Sequence, residues 1–476
     1  MILNIWDSRR DTTAQSPVAT HWRDNQTTVR KINKPALASS SHPYAINAMT
    51  TFPDTRETRP AAEREAELFS RLQQQIVLAK ATTTAFSQSL AAVDPATVTS
   101  RAALAKLPVI RKSELLEAQQ ASRSAGGDPF GGFAAIGFAG WGSPARRAAH
   151  VYASPGPIYE PESAEAHAYR RTARALYAAG FRAGDLVHNT FSYHMTPGGW
   201  IMDAGAVALG CAVFPAGVGN TEQQIAAMHD LKPVAYTGTP SFLRILLEKA
   251  DELGTPITSL KKASVSGEYF PPQLREMLKS RGITGTQTYA TADLGLIAYE
   301  APDADGNVQG MVIDEDIIVE IVRPGTGDPV ADGEVGEIVV TTFNADYPLI
   351  RFGTGDLSAV LPGPYPSGRT NTRIKGWMGR ADQTAKVKGM FVHPSQVDQV
   401  AKRFPELGRV RLVITNPDQT DAMALHAECA APSDALKAKI VEALRDVTKL
   451  GGDVVFAGIG SLANDGKVID DARKYE

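Results

Sequence analysis

The segment VAYTGTPSFLRILLEKADELGTPITSLKKASVSG, residues 234–267, holds two short apolar runs on either side of a longer helical pattern. VAYTG and KASVSG have the length and composition of buried strands, and SFLRILLEKADELG between them has the length of a helix. A strand–helix–strand order predicts a right-handed crossover between parallel strands. The segment therefore indicates an α/β fold.

The same alternation continues on both sides of this segment. It predicts strands at DLVHNTF (185–191), CAVFPAG (211–217) and GTQTYA (285–290), and helices at GGWIMDAGAVALG (198–210), TEQQIAAMHDLK (221–232) and PPQLREMLKSRG (271–282). We expect a large N-terminal domain with doubly wound, mostly parallel sheets. Ligands of such sheets bind beyond the carboxyl ends of the strands, which here carry loops rich in Gly, Ser and Thr. Loops favour these residues in any case, so the composition alone is weak evidence.

The chain changes character twice after residue 301. DIIVEIVRP (316–324), GEIVVTTFN (336–344) and DLSAVLP (356–362) predict a β-rich part with antiparallel strands. From residue 394 the order is helix, strand, strand, helix, strand, which predicts a small α+β C-terminal domain. Its second helix has one apolar face and a candidate N-cap, formed by Leu436, Ile440, Leu444, Val447 and Ser433.

The N-terminal 48 residues have no sustained periodicity and few apolar residues. We predict that residues 1–48 are a disordered or spurious extension. A targeting presequence is the alternative, and the acidic residues Asp7, Asp11 and Asp24 count against it. Leu68 and Leu72 then fall on one helical face, so the folded body is predicted to begin at Pro60, and the domain boundaries are predicted at residues 48/49 and 382/383.

Composition excludes several classes of function. The 476 residues carry a formal net charge of -3, so no overall basic field attracts nucleic acid or anionic lipid. No apolar run is long enough to span a membrane. Cys211 and Cys429 are the two cysteines, which suggests neither a disulfide framework nor a zinc cluster. We expect a cytoplasmic protein.

Three segments hold candidate chemistry. YPLIRFGTGDLSAV (347–360) is predicted to present Asp356 from a glycine turn after an apolar strand, where its carboxylate can accept both hydroxyls of a ribose. An ordinary turn aspartate is the alternative. Gly379–Asp382 supplies the guanidinium of Arg380, whose fork can hold ribose or phosphate oxygens. Lys467 lies in a Gly-Lys loop near the end, where a lone lysine is ordinarily solvated.

In this order and spacing, the three segments resemble the late motifs of the adenylate-forming enzymes, which include acyl-CoA synthetases and luciferases. KVKGMFVHPSQVDQV (386–400) is similar to the glycine followed by hydrophobic-x-Pro-Ser-Gln that is typical of the phenylacetate-CoA ligase subgroup. NTFSYHMTPGGW (189–200) and DYPLIRFGTGDLSA (346–359) also resemble this subgroup. The resemblance runs from about Pro60 to the C-terminus.

The resemblance implies a role for individual residues. Asp356 and Arg380 would bind the ribose and phosphate, and Lys467 would bridge the carboxylate and the α-phosphate during adenylation. Gly267 and Glu268 would form the adenine-side loop. The remaining assignments are Tyr289 over the adenine, Asp293 as the Mg²⁺ ligand, Asp382 as the hinge and Gly389 in the pantetheine tunnel. Residues 49–382 would then be the AMP-binding adenylation domain, and residues 383–476 a mobile lid.

Two motifs depart from the family pattern. The metal carboxylate is shortened from Glu to Asp293, with Ala292 in place of the usual hydroxyl residue. The phosphate loop of the family is a run of Ser, Thr and Gly ending in Lys, and the matching segment here is YASPGPIYEP (152–161), with Ser154 and Gly156. Pro155 and Pro157 remove N–H donors that would bind phosphate, and Glu160 stands where a lysine would help. We expect a remodelled triphosphate site rather than a lost one.

The acyl pocket is predicted from the loops beside the strand ends. Tyr193 and His194 would face the site and, with the loops at Gly238 and Glu268, enclose a flat ring. A structural hydrogen bond within the loop explains His194 equally well. An aromatic or arylacetic acid is what the resemblance implies.

The resulting function is an AMP-forming acid–CoA ligase that uses ATP, Mg²⁺ and CoA. A carboxylate first attacks the α-phosphate of ATP, and a thiol then attacks the acyl carbon and expels AMP. Because these steps need different groups near one atom, we expect the small domain to swing about Asp382 between them. Adenylation without free CoA (carrier-protein loading or nucleotidyl transfer) and a catalytically degenerate nucleotide-binding paralogue are the alternatives. The family resemblance also suggests a homodimer.

Overall fold

The strands and helices predicted between residues 185 and 290 form one half of a large mixed sheet with its covering helices. The structure is a computed structural model, and it describes residues 53–141, 147–164, 171–378, 381, 385–388, 390–392, 394–463 and 468–474. The predicted N-terminal extension, residues 1–48, lies outside these ranges.

The helices form where apolar residues recur at helical spacing. Leu68, Leu72 and Ile76 of the first long helix are all buried, as their spacing predicts. Among the helices in these ranges, none is both long enough and apolar enough to cross a bilayer. Numbered in chain order, the described α-helices are α1 (Ala61–Thr82), α2 (Thr84–Ser89), α3 (Arg101–Leu104), α4 (Lys112–Ser124), α5 (Thr172–Ala178), α6 (Gly198–Ala208), α7 (Thr221–Leu231), α8 (Pro240–Glu252), α9 (Pro272–Ser280), α10 (Pro394–Lys402) and α11 (Asp434–Thr448).

The strands are mostly short and are distributed over several sheets. In chain order, the described strands are β1 (Ile110–Arg111), β2 (His150–Ser154), β3 (Ile158–Glu162), β4 (Leu186–Asn189), β5 (Ala212–Pro215), β6 (Ala235–Gly238), β7 (Lys262–Val265), β8 (Thr284–Thr291), β9 (Gly295–Tyr299), β10 (Met311–Ile313), β11 (Ile317–Val322), β12 (Gly336–Thr342), β13 (Phe352–Ser358), β14 (Val360–Leu361), β15 (Arg373–Ile374), β16 (Ala385–Val387), β17 (Met390–Val392), β18 (Leu407–Thr415), β19 (Ala422–Cys429), β20 (Asp453–Ala457) and β21 (Ile469–Asp471).

The largest sheet has nine strands in the order β14-β15-β10-β9-β8-β7-β6-β4-β5. Strands β5, β4, β6, β7 and β8 pair in parallel, and the pairs from β8 to β14 are antiparallel. Ala235 and Tyr236 are neighbours on β6 but pack into different apolar clusters. Because neighbouring strand residues point to opposite faces, helices cover both faces of the parallel half. The predicted α/β class is confirmed.

Asp356 lies within a strand, which corrects one prediction. We expected a glycine turn directly after the apolar strand, but β13 continues through Asp356 in the second sheet, whose order is β1-β13-β12-β11. Gly355 has a φ of +74°, and the pairing of β12 with β13 shifts register between Glu337 and Val339. The glycine therefore makes a bulge inside the strand rather than a turn after it.

The folded body begins before Pro60, the residue predicted to start it. Glu57 is 1% exposed, and its carboxylate forms an ion pair with Arg369 Nε at 2.7 Å and accepts a hydrogen bond from Tyr299 OH at 2.7 Å. Arg174, also buried, pairs with Asp54 at 2.8 Å. The periodicity of the sequence missed this segment because buried ion pairs, not apolar residues, hold it in place.

The C-terminal residues form their own sheet and core. The sheet has the order β20-β19-β18-β21, and α10 and α11 pack against it. The apolar face predicted for α11 is present, with Ile440 and Leu444 fully buried, and the Ser433 side chain accepts from Leu436 N. Val387 of the β16–β17 hairpin joins the same core.

Candidate active site

A large cavity brings together six of the fourteen sequence-predicted site residues. It has a volume of about 1490 Å³ and lies at the carboxyl ends of the parallel strands, with C-terminal residues along its other side. Six of the predicted residues line it: Ser154, Gly267, Glu268, Tyr289, Asp293 and Asp356. From the C-terminal region, Lys386, Lys388, Asp421 and Arg473 are among the lining residues.

Asp356 is held at the cavity wall by two aromatic side chains. Tyr289 OH donates to Asp356 Oδ2 at 2.8 Å, and Trp377 Nε1 donates to Oδ1 at 3.1 Å. The bulge at Gly355 directs the carboxylate into this contact from an otherwise buried strand. Two donors fix the orientation of both oxygens, which is the preorganisation that a diol ligand requires. Sequence reasoning did not identify Trp377, because a lone tryptophan after a short strand has no distinguishing pattern.

The loop after β7 connects the two sides of the cavity. Gly267 has a φ of +80°, and Lys386 Nζ from the C-terminal region donates to its carbonyl oxygen at 2.5 Å. Glu268 Oε2 accepts from Ser241 N at 3.4 Å in the first turn of α8. Burial lowers the pKa of Lys386, an effect that the nearby charge of Glu268 opposes.

The β16–β17 hairpin that carries Lys386 is braced by Arg473. Arg473 Nη1 donates to the carbonyl oxygen of Lys386 at 2.8 Å and to Asp421 Oδ1 at 3.1 Å. Lys388 N donates to Asp421 Oδ2 at 2.8 Å. These bonds fix the hairpin that carries Lys386 to the C-terminal region.

Asp293 lines the cavity and forms an ion pair that the sequence did not reveal. Lys112 Nζ, at the start of α4, donates to Asp293 Oδ2 at 2.7 Å. Asp293 Oδ1 is buried and receives no hydrogen bond from the described residues. Carboxylate oxygens are ligands that Mg²⁺ prefers, so Asp293 fits a metal-binding role. Lys112 lies 181 positions away in sequence, and nothing in its local pattern distinguishes it from a solvated lysine.

The segment predicted to be a remodelled phosphate loop forms a β-hairpin of β2 and β3. Ser154 ends β2 and lines the cavity, whereas Gly156 is not among the lining residues. Ser154 Oγ donates to Glu160 Oε1 at 2.9 Å. Burial, and then the charge of Asp293, hold the pKa of Glu160 well above its ordinary value.

The three residues predicted for the acyl pocket are not among those that line the cavity. The Tyr193 hydroxyl accepts from Asn189 Nδ2 at 2.7 Å and donates to Asp203 Oδ2 at 2.8 Å. His194 is exposed, with Nδ1 3.0 Å from Ser192 Oγ, as the structural alternative for this histidine predicts. Gly238 is buried in β6, where an added Cβ would lie 2.0 Å from Thr190 Oγ1.

Four predicted residues, Arg380, Asp382, Gly389 and Lys467, lie outside the described residues. Ala381, which is described, donates its N–H to the Gly355 carbonyl at 2.6 Å. The backbone next to Asp356 is therefore in contact with the segment that carries Arg380 in the sequence.

Comparison with known proteins gives consistent matches. A family model described as AMP-binding enzyme matches residues 166–344. The chain is 30% identical over 378 residues to the phenylacetate-coenzyme A ligase of Thermus thermophilus, covering 74% of this chain and 79% of that relative. It is 32% identical over 340 residues to the phenylacetate-coenzyme A ligase of Aromatoleum evansii, covering 68% of this chain and 72% of that relative.

Among solved structures, the chain is similar to a 2-hydroxyisobutyryl-CoA ligase at 25% identity. The structure of that enzyme with 2-HIB-AMP and CoA in the thioesterification state covers 91% of this chain and 95% of its own, with a TM-score of 0.76. Its postadenylation state with 2-HIB-AMP, also 25% identical, covers 90% of this chain and 94% of its own, with a TM-score of 0.64. The chain thus matches the thioesterification state of that ligase better than its postadenylation state.

Proposed function

Since the chain belongs to the phenylacetate-coenzyme A ligase family, we propose that it activates an aromatic or arylacetic acid. The protein is an AMP-forming acid–CoA ligase that uses ATP and CoA. Its reaction has two steps: the carboxylate displaces pyrophosphate from ATP to give an acyl-adenylate, and the CoA thiol then displaces AMP.

The observation that carries the nucleotide site is the carboxylate of Asp356, held between Tyr289 and Trp377 at the cavity wall. In this proposal Asp356 accepts the ribose hydroxyls, and the loop at Gly267 and Glu268 lies on the adenine side. Arg380 adds a guanidinium for ribose or phosphate oxygens, which is supported by the contact of its neighbour Ala381 with Gly355.

The adenylation step brings two anions, the carboxylate and ATP, together, so positive charge is needed to offset their repulsion. We assign this role to Lys467, which would bridge the carboxylate and the α-phosphate, and to Mg²⁺ held at Asp293. When bound, Mg²⁺ supplies charge neutralisation of the phosphates. The amine of Lys112, 2.7 Å from Asp293, adds a positive charge on the same side of the cavity.

The proposal includes a moving C-terminal domain, residues 383–476, that pivots at Asp382. The chain resembles the thioesterification state of its structural relative, and here Lys386 contacts the loop at Gly267. In this orientation Gly389 would line the pantetheine tunnel. Adenylation would need the other orientation, in which Lys467 enters the cavity.

For the acid itself, the candidate pocket residue is Phe191, in the loop predicted for the acyl pocket. A Cβ built on the cavity residue Gly267 would lie 3.7 Å from Phe191 Cε1, so the Phe191 ring lies close to the cavity-lining loop. We place the ring of the acid beside Phe191, with Tyr193 and His194 in the same loop.

Exchange of labelled pyrophosphate into ATP tests the substrate class. Phenylacetate and benzoate should support exchange at least about tenfold better than 2-hydroxyisobutyrate or acetate, because ring burial adds a few kcal/mol of binding. A preference for 2-hydroxyisobutyrate would overturn the aromatic assignment. Absence of exchange with every acid would support the degenerate paralogue.

The acceptor is tested by following AMP release. With the preferred acid and ATP, free CoA should raise the rate of AMP release in proportion to its concentration below saturation. A rate of AMP release that does not depend on the CoA concentration would favour the alternative of carrier-protein loading. Family membership supports free CoA as the acceptor.

We also propose a cytoplasmic homodimer. Cys211 and Cys429 are buried and neither is in a disulfide, which suits a reducing compartment. Sedimentation equilibrium should give twice the 50.9 kDa chain mass, and a single-chain mass would contradict the dimer.

A further inference from the structure

The carboxyl group of Glu160 has no role in the reaction as assigned above. Glu160 stands in β3 at the position where the family pattern has a lysine, and it is 4% exposed. Its Oε1 accepts from Ser154 Oγ at 2.9 Å. Its Oε2 is buried and meets no hydrogen-bond donor among the described residues. A buried carboxyl oxygen without a donor is costly, so this one needs an explanation.

Asp293 also has a buried carboxyl oxygen without a hydrogen-bond donor among the described residues. Asp293 Oδ2 is held by Lys112, whereas Oδ1 is buried and meets no donor in the described part of the chain. The carboxyl groups of Asp293 and Glu160 are within hydrogen-bonding reach of one another. Each carboxyl group is therefore held through one of its oxygens. Its other oxygen lies near the neighbouring carboxyl group and has no donor among the described residues.

We propose that Glu160 and Asp293 together form a divalent-cation site at the point where Asp293 lines the cavity, with Glu160 as the second carboxylate ligand. Within the described residues, no group of three or more His, Cys, Asp and Glu side chains is placed to hold a metal. The rest of the coordination shell would come from water and from phosphate oxygens, as is usual for Mg²⁺. The inference rests on the proposed function only for these phosphates.

The charges around the pair agree with this site. With both carboxyl groups ionised to bind a cation, they and the Lys112 ammonium carry one net negative charge, which would repel the triphosphate if no cation were bound. A bound divalent cation would make this net charge positive. Pro155 and Pro157 lack the N–H groups that could otherwise bind phosphate, so this chain depends more on the cation than a glycine-rich loop would.

Mn²⁺ binding to the full chain, without nucleotide, tests the site directly. The electron paramagnetic resonance signal of free Mn²⁺ should fall as one ion binds per chain. Glu160→Gln should weaken binding at least about tenfold, in line with the loss of one charged ligand. Glu162→Gln is the matched control, since Glu162 lies on the same strand but accepts from Tyr152 OH at 3.1 Å.

Two outcomes would overturn the proposal. One is the absence of Mn²⁺ binding by the unmodified chain, and the other is equal binding by Glu160→Gln, which would mean that the two carboxyl groups only share a proton. Thermal unfolding of each variant identifies a folding defect. If Glu160→Gln unfolds, Glu160→Asp replaces it, because the shorter carboxylate keeps its charge and should still weaken Mn²⁺ binding. Pyrophosphate exchange can fail without affecting this result, so the cation site and the ligase assignment are tested separately.

Discussion

Lys386 Nζ donates a hydrogen bond to the carbonyl oxygen of Gly267 at 2.5 Å. The bond joins the hairpin of the C-terminal region to the loop that we assign to the adenine side of the nucleotide. It belongs to the orientation of the C-terminal region in this structure, and the rotation that we propose about Asp382 would break it. In this proposal the orientation for thioester formation depends on Lys386, and the orientation for adenylation does not.

Replacing Lys386 by methionine should slow thioester formation roughly tenfold, because a hydrogen bond from a charged donor contributes about 1.5 kcal/mol or more. The measurement is single-turnover formation of acyl-CoA from preformed phenylacetyl-adenylate and CoA. Lys437→Met is the control, since Lys437 is in the same region but pairs with Asp453 at the exposed surface, 2.9 Å away. Equal rates for the two variants would contradict the role of Lys386.

Trp377→Phe should raise the KM for ATP roughly tenfold, with little change in kcat. The substitution removes the donor to Asp356 Oδ1 but keeps an aromatic ring at the cavity wall, and a hydrogen bond to a charged group contributes about 1.5 kcal/mol. Initial rates over a range of ATP concentrations measure the effect. Trp141→Phe, remote from the cavity lining, should leave the KM unchanged. An unchanged KM in Trp377→Phe would mean that Asp356 does not need this donor.

Arg174→Met should cost about 3–5 kcal/mol of the free energy of unfolding, because it leaves buried carboxylates without their partner. Arg174 bonds Asp314 at 3.1 Å and Asp54 at 2.8 Å, and it is 1% exposed. Arg281→Met removes a surface pair with Asp251 and should cost under about 1 kcal/mol. Urea denaturation of both variants gives the comparison, and equal losses would show that the buried network is not needed.

Stability should fall as the pH drops below about 6.5, partly through His188. His188 is buried on β4, with Nε2 2.9 Å from Gln224 Oε1, and burial lowers its pKa. The unfolded chain then binds a proton at a higher pH than the folded chain, so acid favours unfolding. Denaturant titrations at about pH 7 and about pH 5 should show a smaller loss of stability for His188→Gln than for the unmodified chain. An identical loss of stability in both proteins would exclude His188 as a source of the pH dependence.

The strands and helices of the fold were predictable because the sequence patterns that indicate them involve residues close together in the chain. Alternating apolar runs, the apolar face at Ile440 and Leu444, and the cap at Ser433 each depend on residues a few positions apart. The segment at Glu57 was missed because its burial depends on Arg174 and Arg369, which are distant in sequence.

The candidate site was predictable only where a motif resembled a known family. Asp356 and Tyr289 came from such motifs and meet at 2.8 Å. Lys112 and Trp377 belong to no motif, and tertiary packing brings them to Asp293 and Asp356. Gly355 shows a further limit, since a glycine before an aspartate fits a turn or a bulge equally well until the pairing of the strands is known.

The two half-reactions, measured separately in Lys467→Ala and Lys386→Met, test the two-orientation mechanism most directly. Lys467→Ala should lose pyrophosphate exchange by about a hundredfold or more, while it still forms acyl-CoA from preformed phenylacetyl-adenylate. Lys386→Met should show the reverse pattern, with exchange retained and acyl-CoA formation slowed. Equal losses in both half-reactions for either variant would contradict a cavity that serves two orientations of one C-terminal domain.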